Sequence, residues 1–188
     1  MILIVNFHGQ YVHRIWRSLK YLKIESEIVP NMITADEVLA KKPSGVIFSG
    51  GPYSVYKDKE KLGSHKEIIK LDLPVLGICL GHQMIADSLG GEVKEGLSGE
   101  YAAVEIDILD EDDLFIGLGS RIVVWESHKD EVASMPKDFK CLASSSICKY
   151  EAIKHKSKPI YGVQFHPEVE HTPKGPEILK NFHNTCKK

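Results

Sequence analysis

Apolar residues in the first half of the chain fall into short continuous runs, separated by segments with helical spacing. Continuous apolar runs are typical of strands that are buried on both faces of a parallel sheet. Apolar residues three to four positions apart, as at Val12, Ile15, Trp16 and Leu19, indicate a helix with one buried face. These patterns predict strands at residues 1–5, 24–29, 45–48 and 73–78, and helices at residues 10–22, 34–40, 64–71 and 82–89.

The pattern changes in the second half, where apolar and polar residues alternate as in strands with one exposed face. The acidic run at residues 110–113 is interpreted as a solvated turn. The two halves together predict an α/β fold in a single domain, residues 1–188. We expect a mostly parallel, doubly wound sheet flanked by helices, with mixed or antiparallel strands added at one edge. These strands are predicted at residues 102–109, 122–125, 152–154 and 160–165, and a last helix at residues 176–186.

Composition and charge narrow the possible functions. The 188 residues are 43% hydrophobic, enough for one substantial domain, and the formal net charge is −2. No polybasic stretch indicates a nucleic-acid partner, and no apolar stretch is long enough to span a membrane. Because residues 1–5 also lack the length and charged flank of a signal peptide, we expect a cytoplasmic protein that binds neither nucleic acid nor membrane.

The four cysteines do not form the pattern of a disulfide framework in a chain of this length. Cys141, Cys148 and His155 match no zinc-site spacing, so no metal centre is predicted. We interpret Cys141, Cys148 and Cys186 as structural or incidental thiols. Cys79 has different surroundings.

Cys79 lies in Gly-Ile-Cys-Leu-Gly, residues 77–81, between a predicted strand and a predicted helix. This is the pattern of a nucleophile elbow with cysteine as the nucleophile. The glycines allow backbone and substrate to approach closely, and a helix N-terminus favours negative charge on the sulfur. The alternative is a buried structural cysteine, which is the commoner role, but such a residue does not require a glycine two positions away on each side.

A cysteine nucleophile needs a base, and the base needs a group that orients it. His166 follows a predicted strand and precedes Pro167, which favours extended backbone. Glu168 can then point to the same side and hold one imidazole tautomer. A structural residue is the alternative for His166, and His82 is interpreted as a packing or capping residue. Because parallel strands end at the ligand-binding face of such sheets, we expect Cys79 and His166 to meet there.

Acyl transfer also needs backbone N–H donors for the oxyanion. The loop Ser-Gly-Gly-Pro, residues 49–52, follows another predicted strand. The N–H groups of Gly51 and Leu80 are the natural pair. Alone, the loop is equally an ordinary Gly-Pro turn, and it matches neither a P-loop nor a dinucleotide-binding fingerprint.

Three motifs together resemble those of class I glutamine amidotransferases. They are Ser-Gly-Gly-Pro at residues 49–52, Gly-Ile-Cys-Leu-Gly-His-Gln at residues 77–83 and Gly-Val-Gln-Phe-His-Pro-Glu at residues 162–168. Their order and spacing fit over nearly the whole chain. The resemblance implies a triad that hydrolyses glutamine to glutamate and ammonia, with nucleophile Cys79, general base and acid His166, and orienting residue Glu168.

The same resemblance implies that Gly51 and Leu80 form the oxyanion hole. It also implies that Gln83 contacts the glutamine substrate, the alternative being a polar residue on the helix surface. His8 stands where the family pattern leads us to expect a smaller residue near the active face.

Two further segments resemble the GMP synthetases within this family. They are Trp-Glu-Ser-His-Lys-Asp-Glu-Val at residues 125–132 and Val-Glu-His-Thr at residues 169–172. Anthranilate and aminodeoxychorismate synthase subunits instead carry Tyr-His-Ser where this chain has Ser127 and His128. The resemblance implies that Ser127 and His128 lie near the glutamine pocket and that Lys129 and Asp130 face a partner. The alternative is a polar loop between strands.

Many GMP synthetases are longer chains that carry an ATP pyrophosphatase domain, and no pyrophosphatase loop is present here. We therefore expect a glutaminase subunit without a cofactor of its own, whose partner is a separate ATP pyrophosphatase subunit that binds ATP, Mg²⁺ and XMP. Other possibilities stay open at this point. They are the glutaminase subunit of another amidotransferase such as anthranilate synthase, a cysteine peptidase or γ-glutamyl hydrolase, and a catalytically silent subunit that binds glutamine or a partner.

Overall fold

The computed structural model describes residues 1–187 and, for residues 97–100, the backbone only. The helices are α1 (Val12–Tyr21), α2 (Ala35–Ala40), α3 (His65–Ile69), α4 (Leu80–Ser88) and α5 (Gly175–Thr185), with a 3-10 turn at Lys59–Lys61. The strands are β1 (Ile2–Asn6), β2 (Ser26–Pro30), β3 (Gly45–Phe48), β4 (Val75–Ile78), β5 (Glu92–Glu100), β6 (Ala103–Ile108), β7 (Arg121–Trp125), β8 (His128–Ser134), β9 (Phe139–Ser144), β10 (Ala152–His155) and β11 (Ile160–Val163).

Nine of these described strands form one sheet in the order β2-β1-β3-β4-β11-β10-β9-β6-β7. The five strands from β2 to β11 are parallel to their neighbours, and the pairs from β11 to β7 are antiparallel. The predicted α/β fold, with a parallel core and antiparallel strands added at one edge, is therefore confirmed. The carboxyl ends of β1, β3, β4 and β11 lie together, and the candidate site residues follow them.

Helices cover both faces of the parallel core, as the alternating residues of β1 show. Ile2 and Ile4 belong to one apolar cluster with side chains of α1 and α5. Leu3 and Val5 belong to a second cluster with side chains of α2, α3 and α4. This two-sided burial explains the continuous apolar runs, because neither face of the central strands meets water.

The helix predicted at residues 34–40 begins with Thr34 as its N-cap, and α2 covers Ala35–Ala40. The Thr34 hydroxyl accepts from the Glu37 N–H at 3.2 Å, and the Glu37 carboxylate accepts from the Thr34 N–H at 2.8 Å. This reciprocal capping box satisfies backbone donors that have no partner inside the helix.

The sequence prediction misses three strands, β5, β8 and β9. β5 and β8 pair with each other in a separate antiparallel sheet. β8 buries only His128 and Val132, so it shows no apolar alternation. The alternative interpretation of residues 127–132 as a polar loop is therefore wrong, because residues 128–134 form a strand that pairs with β5.

The acidic run at residues 110–113 leads into a turn at residues 112–114, as predicted, but it is only partly solvated, since of its four residues only Glu111 is exposed. The Asp112 carboxylate is 11% exposed and lies 2.7 Å from Lys140 Nζ and 2.6 Å from Lys154 Nζ. Burial alone would raise the pKa of Asp112, but hydrogen bonds from these two lysines hold it well below its usual range. The lysines come from β9 and β10, distant in sequence, so the acidic run alone could not reveal these ion pairs.

Within residues 1–187, no helix combines the length and the apolar character needed to cross a bilayer.

Candidate active site

Cys79 lies between β4 and α4 in a backbone conformation that L-residues rarely adopt, with φ 52° and ψ −104°. The flanking glycines are required by close backbone contacts. A Cβ on Gly77 would lie 2.4 Å from the Gly81 backbone, and a Cβ on Gly81 would lie 2.5 Å from the Phe48 carbonyl oxygen. The strand therefore turns directly into the helix, and Cys79 is placed at the sharp elbow.

His166 and Glu168 follow β11 and form a buried pair. His166 Nδ1 lies 2.8 Å from Glu168 Oε1, and the side chains are 7% and 1% exposed. The His166 N–H donates to the Trp125 carbonyl at 2.9 Å, which fixes the backbone at this point. Gly50 lies beside both His166 and Cys79, since a Cβ there would be 3.1 Å from His166 Cε1 and 3.6 Å from Cys79 Cβ.

The electrostatics of this cluster favour a charged imidazole. Burial alone would lower the pKa of His166. The charge of the Glu168 carboxylate and the neighbouring Cys79 sulfur outweigh burial and hold the His166 pKa well above its ordinary value. An imidazolium placed between a thiol and a carboxylate is the arrangement that cysteine nucleophiles use.

Gly51 lies beside the start of α4. A Cβ on Gly51 would lie 2.3 Å from the Phe7 carbonyl oxygen and 2.8 Å from Leu80 Cδ2, so only glycine fits. The Ser49 hydroxyl accepts from the Phe7 N–H at 2.9 Å and ties the beginning of this loop to the end of β1. The two residues predicted to form the oxyanion hole are therefore neighbours in space, and Leu80 directly follows Cys79 in the chain.

Two cavities meet at Cys79. One, of about 320 Å³, is lined by residues 8–12, by the loop at 50–52 and by the triad residues. The other, of about 380 Å³, is lined by Gln83, Ser127, His128, Lys129 and Asp130 together with residues of the segment 51–58. Both volumes are in the range of small-ligand pockets.

Hydrogen bonds within the protein hold the predicted substrate-contact residues. Gln83 Nε2 donates to the Asp130 carbonyl at 2.7 Å and to Gln164 Oε1 at 3.2 Å. His128 Nδ1 lies 3.1 Å from the same Asp130 carbonyl. The Ser127 carbonyl oxygen lies 3.9 Å from the Cys79 sulfur. Gln83, Ser127 and His128 all border the second cavity, and their contact with glutamine stays a prediction.

The residues predicted to face a partner are at the rim of the same cavity. Lys129 is exposed and lies 2.6 Å from the Glu95 carboxylate. The Asp130 carboxylate is half-buried and accepts from the Ser54 hydroxyl at 2.8 Å and from the Tyr56 hydroxyl at 3.0 Å. Both side chains thus have partners within the chain.

Sequence reasoning missed several residues that shape the site. Glu126 is fully buried, with Oε2 3.1 Å from His128 Nε2. The Tyr11 ring meets the His166 ring edge-on, with centroids 4.9 Å apart. The Thr172 hydroxyl donates to the His166 carbonyl at 2.7 Å. Glu126 and Thr172 stand inside the quoted motifs, but only the fold shows what each contacts.

His82, His8 and the other three cysteines lie in surroundings that do not suit a catalytic role. His82 is fully buried against Gly162, and burial, with the charge of His128, lowers its pKa to about 3. It is therefore a neutral packing residue. His8 has φ 67°, a conformation that favours glycine, and its ring lies 5.9 Å from that of Tyr53. Burial raises the pKa of Cys141, Cys148 and Cys186, which disfavours the reactive thiolate.

Among the described residues, no group of three or more histidines, cysteines or carboxylates is arranged to hold a metal ion.

The model of class I glutamine amidotransferases matches residues 3–186. The chain belongs to this family. Several relatives of this amidotransferase are named as a subunit of glutamine-hydrolyzing GMP synthase. The protein so named from Methanothermobacter thermautotrophicus is 54% identical over 188 residues, 100% of this chain and 98% of the relative. The one from Pyrococcus furiosus is also 54% identical, over 99% of this chain and 98% of the relative.

Solved structures agree with the fold of this amidotransferase. A putative GMP synthase subunit from Thermoplasma acidophilum superposes with a TM-score of 0.93 at 40% identity, covering 99% of this chain and 93% of that one. A glutamine amidotransferase from Thermotoga maritima has a TM-score of 0.72 at 22% identity, over 99% of this chain and 81% of that one, which shows a shared fold.

Proposed function

We propose that this amidotransferase hydrolyses glutamine at Cys79 and supplies the ammonia to a separate ATP pyrophosphatase subunit that converts XMP to GMP. The observation that carries the hydrolysis is the buried His166–Glu168 pair, with Nδ1 and Oε1 2.8 Å apart, beside the strained Cys79 elbow. The acceptor is supported by the full-length relatives that are named as a subunit of glutamine-hydrolyzing GMP synthase.

The chemistry proceeds in two stages. The Cys79 thiolate attacks the side-chain amide carbon of glutamine, and the oxyanion that forms accepts hydrogen bonds from the Gly51 and Leu80 N–H groups. The tetrahedral intermediate collapses as the C–N bond breaks, and His166 gives its proton to the departing NH₂ group, which leaves as ammonia. The neutral imidazole then takes a proton from water, which attacks the thioester and releases glutamate. Glu168 orients the ring and stabilises its charged form in both stages.

The glutamine occupies the cavity of about 380 Å³ on the Gln83 side of Cys79. Gln83, Ser127 and His128 border it and are the proposed substrate contacts. Lys129 and Asp130, at its rim, are the proposed contacts with the partner. Because the thiol reaction needs only protein groups and water, we assign no cofactor to this chain and place ATP and Mg²⁺ on the pyrophosphatase subunit. The cytoplasmic location stays a prediction, which fractionation of cells would test.

A substitution at Cys79 tests this proposal. Cys79→Ala removes the nucleophile, so glutamine hydrolysis and glutamine-dependent GMP formation are expected to fall to background. Added ammonia bypasses the missing step, so the complex of Cys79→Ala with the pyrophosphatase subunit should still form GMP from ammonia, ATP and XMP. The measurement is glutamate and GMP release with glutamine or an ammonium salt as the nitrogen source.

Cys141→Ala is the matched control, because Cys141 lies in β9 outside both cavities. It should retain both activities. Glutamine hydrolysis that persists in Cys79→Ala would refute the assignment of the nucleophile.

A further inference from the structure

Asp130 connects three parts of the site that are far apart in sequence. Its carboxylate accepts from the hydroxyls of Ser54 at 2.8 Å and Tyr56 at 3.0 Å, across 76 and 74 residues. Its backbone carbonyl accepts from Gln83 Nε2 at 2.7 Å, across 47 residues. One residue of β8 thus holds both the segment after β3 and a side chain of α4.

The segment held by Asp130 is a closed turn. The Ser54 N–H donates to Asp58 Oδ2 at 3.0 Å, and the Asp58 N–H returns to the Ser54 carbonyl at 2.9 Å. Lys61 Nζ lies 2.7 Å from the same Asp58 carboxylate. The turn therefore keeps its own shape, and the hydroxyls of Ser54 and Tyr56 are the groups through which it is attached to β8.

Gly51 lies between two anchors of this loop. At the start, the Ser49 hydroxyl is bonded to the Phe7 N–H at 2.9 Å. At the far end, three residues after Gly51, the Ser54 hydroxyl is bonded to Asp130. A loop fixed at one end only would let Gly51 move relative to Leu80, and oxyanion donors act best when they are held in place before the reaction.

We propose that Asp130 is a positioning residue of the glutaminase reaction, whose carboxylate fixes the loop that carries the oxyanion donor Gly51. This inference rests on the proposed function. A carboxylate has two oxygens that accept, one for each hydroxyl, whereas an asparagine amide has one acceptor oxygen and an NH₂ group that only donates. Asp130→Asn therefore removes the negative charge and one of the two acceptors, so that one hydroxyl can stay bonded only by reversing its role and accepting from the NH₂ group. The backbone contact to Gln83 is left intact.

The test is steady-state kinetics of glutamine hydrolysis by wild type, Asp130→Asn, Ser54→Ala and Tyr56→Phe in the complex with the pyrophosphatase subunit. The oxyanion exists only beyond the ground state, so the loss should appear in kcat with KM little changed. We expect kcat to fall roughly tenfold to a hundredfold in Asp130→Asn and several-fold in each hydroxyl variant. In the double variant Tyr56→Phe/Asp130→Asn the losses should be smaller than the product of the single losses, because both changes disrupt the same contact.

Asp107→Asn is the matched control. The Asp107 carboxylate is also bonded to a side chain of the same chain, Arg121, at 2.6 Å, but this pair is exposed and lies in the antiparallel part of the large sheet. The kcat of Asp107→Asn should equal that of wild type. Alkylation of Cys79 by iodoacetamide, followed on its peptide by mass spectrometry, should keep its rate in Asp130→Asn, since thiol reactivity does not need the oxyanion donor.

An active wild type with unchanged kcat in Asp130→Asn and Tyr56→Phe would overturn this inference alone. A wild type without glutaminase activity would overturn the proposed function as well. If Asp130→Asn does not fold, Tyr56→Phe decides, because it removes one hydroxyl from a side chain that is 37% exposed. Unchanged kcat in that variant contradicts the inference, and a selective fall in kcat supports it.

Discussion

At the scale of single residues, the conformation of Cys79 links the fold to the chemistry. A non-glycine residue with positive φ costs of order 1–3 kcal/mol, and the surrounding structure must offset that cost. The Cys79 N–H donates to the Val163 carbonyl at 2.8 Å, and its carbonyl accepts from the Gln83 N–H at 3.1 Å. The residue is therefore held by β11 on one side and by α4 on the other. Its sulfur lies at the carboxyl ends of the parallel strands, where sheets of this type bind ligands.

The charge of Glu168 determines the protonation of His166 in this account. Glu168→Gln keeps the shape and an acceptor oxygen but removes the charge that raises the pKa of His166 against burial. The imidazolium should then lose its proton at lower pH, so the alkaline limb of kcat/KM against pH should move to lower pH. We expect kcat to fall by about 10² or more, the usual contribution of general acid–base catalysis.

The same shift has a consequence for stability. Since the pKa of His166 is raised in the folded protein above 6.5, the charged pair stabilises the fold fully below that value and less as pH rises through the raised pKa. The free energy of unfolding of Glu168→Gln should therefore fall furthest below that of wild type at acidic pH, and the difference should shrink as the pH rises. Glu170→Gln, an exposed carboxylate two residues along, is the control, and an unmoved alkaline limb in Glu168→Gln would argue against the charged pair.

At the scale of elements, the end of β7 and the segment after β11 are joined by a network of three hydrogen bonds. The Trp125 N–H donates to the Thr172 hydroxyl at 2.9 Å, and that hydroxyl donates to the His166 carbonyl at 2.7 Å. The His166 N–H returns to the Trp125 carbonyl at 2.9 Å. The backbone of His166, the proposed base, is thus fixed by the antiparallel part of the sheet, which gives that added region a place in the proposed mechanism.

Thr172→Val tests this link. Valine fills the same volume but leaves the half-buried Trp125 N–H and the buried His166 carbonyl without the hydroxyl. The loss should cost about 1–3 kcal/mol of stability for the buried carbonyl and less for the N–H. Because His166 loses its support, kcat should fall while KM changes little. Urea unfolding and steady-state kinetics are the measurements.

Thr185→Val provides the comparison for that experiment. The buried Thr185 hydroxyl donates to the Phe182 carbonyl at 2.7 Å within α5, and Thr185 lines neither cavity at Cys79. It should lose some stability and keep kcat. Equal kcat in Thr172→Val and Thr185→Val would mean that the network is structural only.

At the scale of the whole molecule, the sequence predicts the parallel core well and the antiparallel region less well. β1, β3 and β4 are buried on both faces, so their apolar runs mark them directly. β5 and β8 are polar strands that pair with each other, and no periodicity marks them. A strand that is stabilised by cross-strand pairing rather than by burial shows little hydrophobic pattern in the sequence.

The candidate site shows the same division. Cys79, His166 and Glu168 were predicted because local motifs carry them, and the structure brings them together around Gly50. The contacts of Asp130 with Ser54 and Tyr56 join residues more than seventy positions apart. Nothing local to either segment encodes that pairing, since it arises only when the fold brings β8 next to the loop after β3.

The proposed function of the whole chain is to hydrolyse glutamine for a GMP-forming partner. The most direct measurement is glutamate release from glutamine by the purified chain, alone and with the ATP pyrophosphatase subunit, ATP, Mg²⁺ and XMP. We expect glutamate release that rises in the complete mixture and is matched by GMP formation. Glutamate release that is unaffected by the partner mixture, with no GMP formed, would contradict the claim.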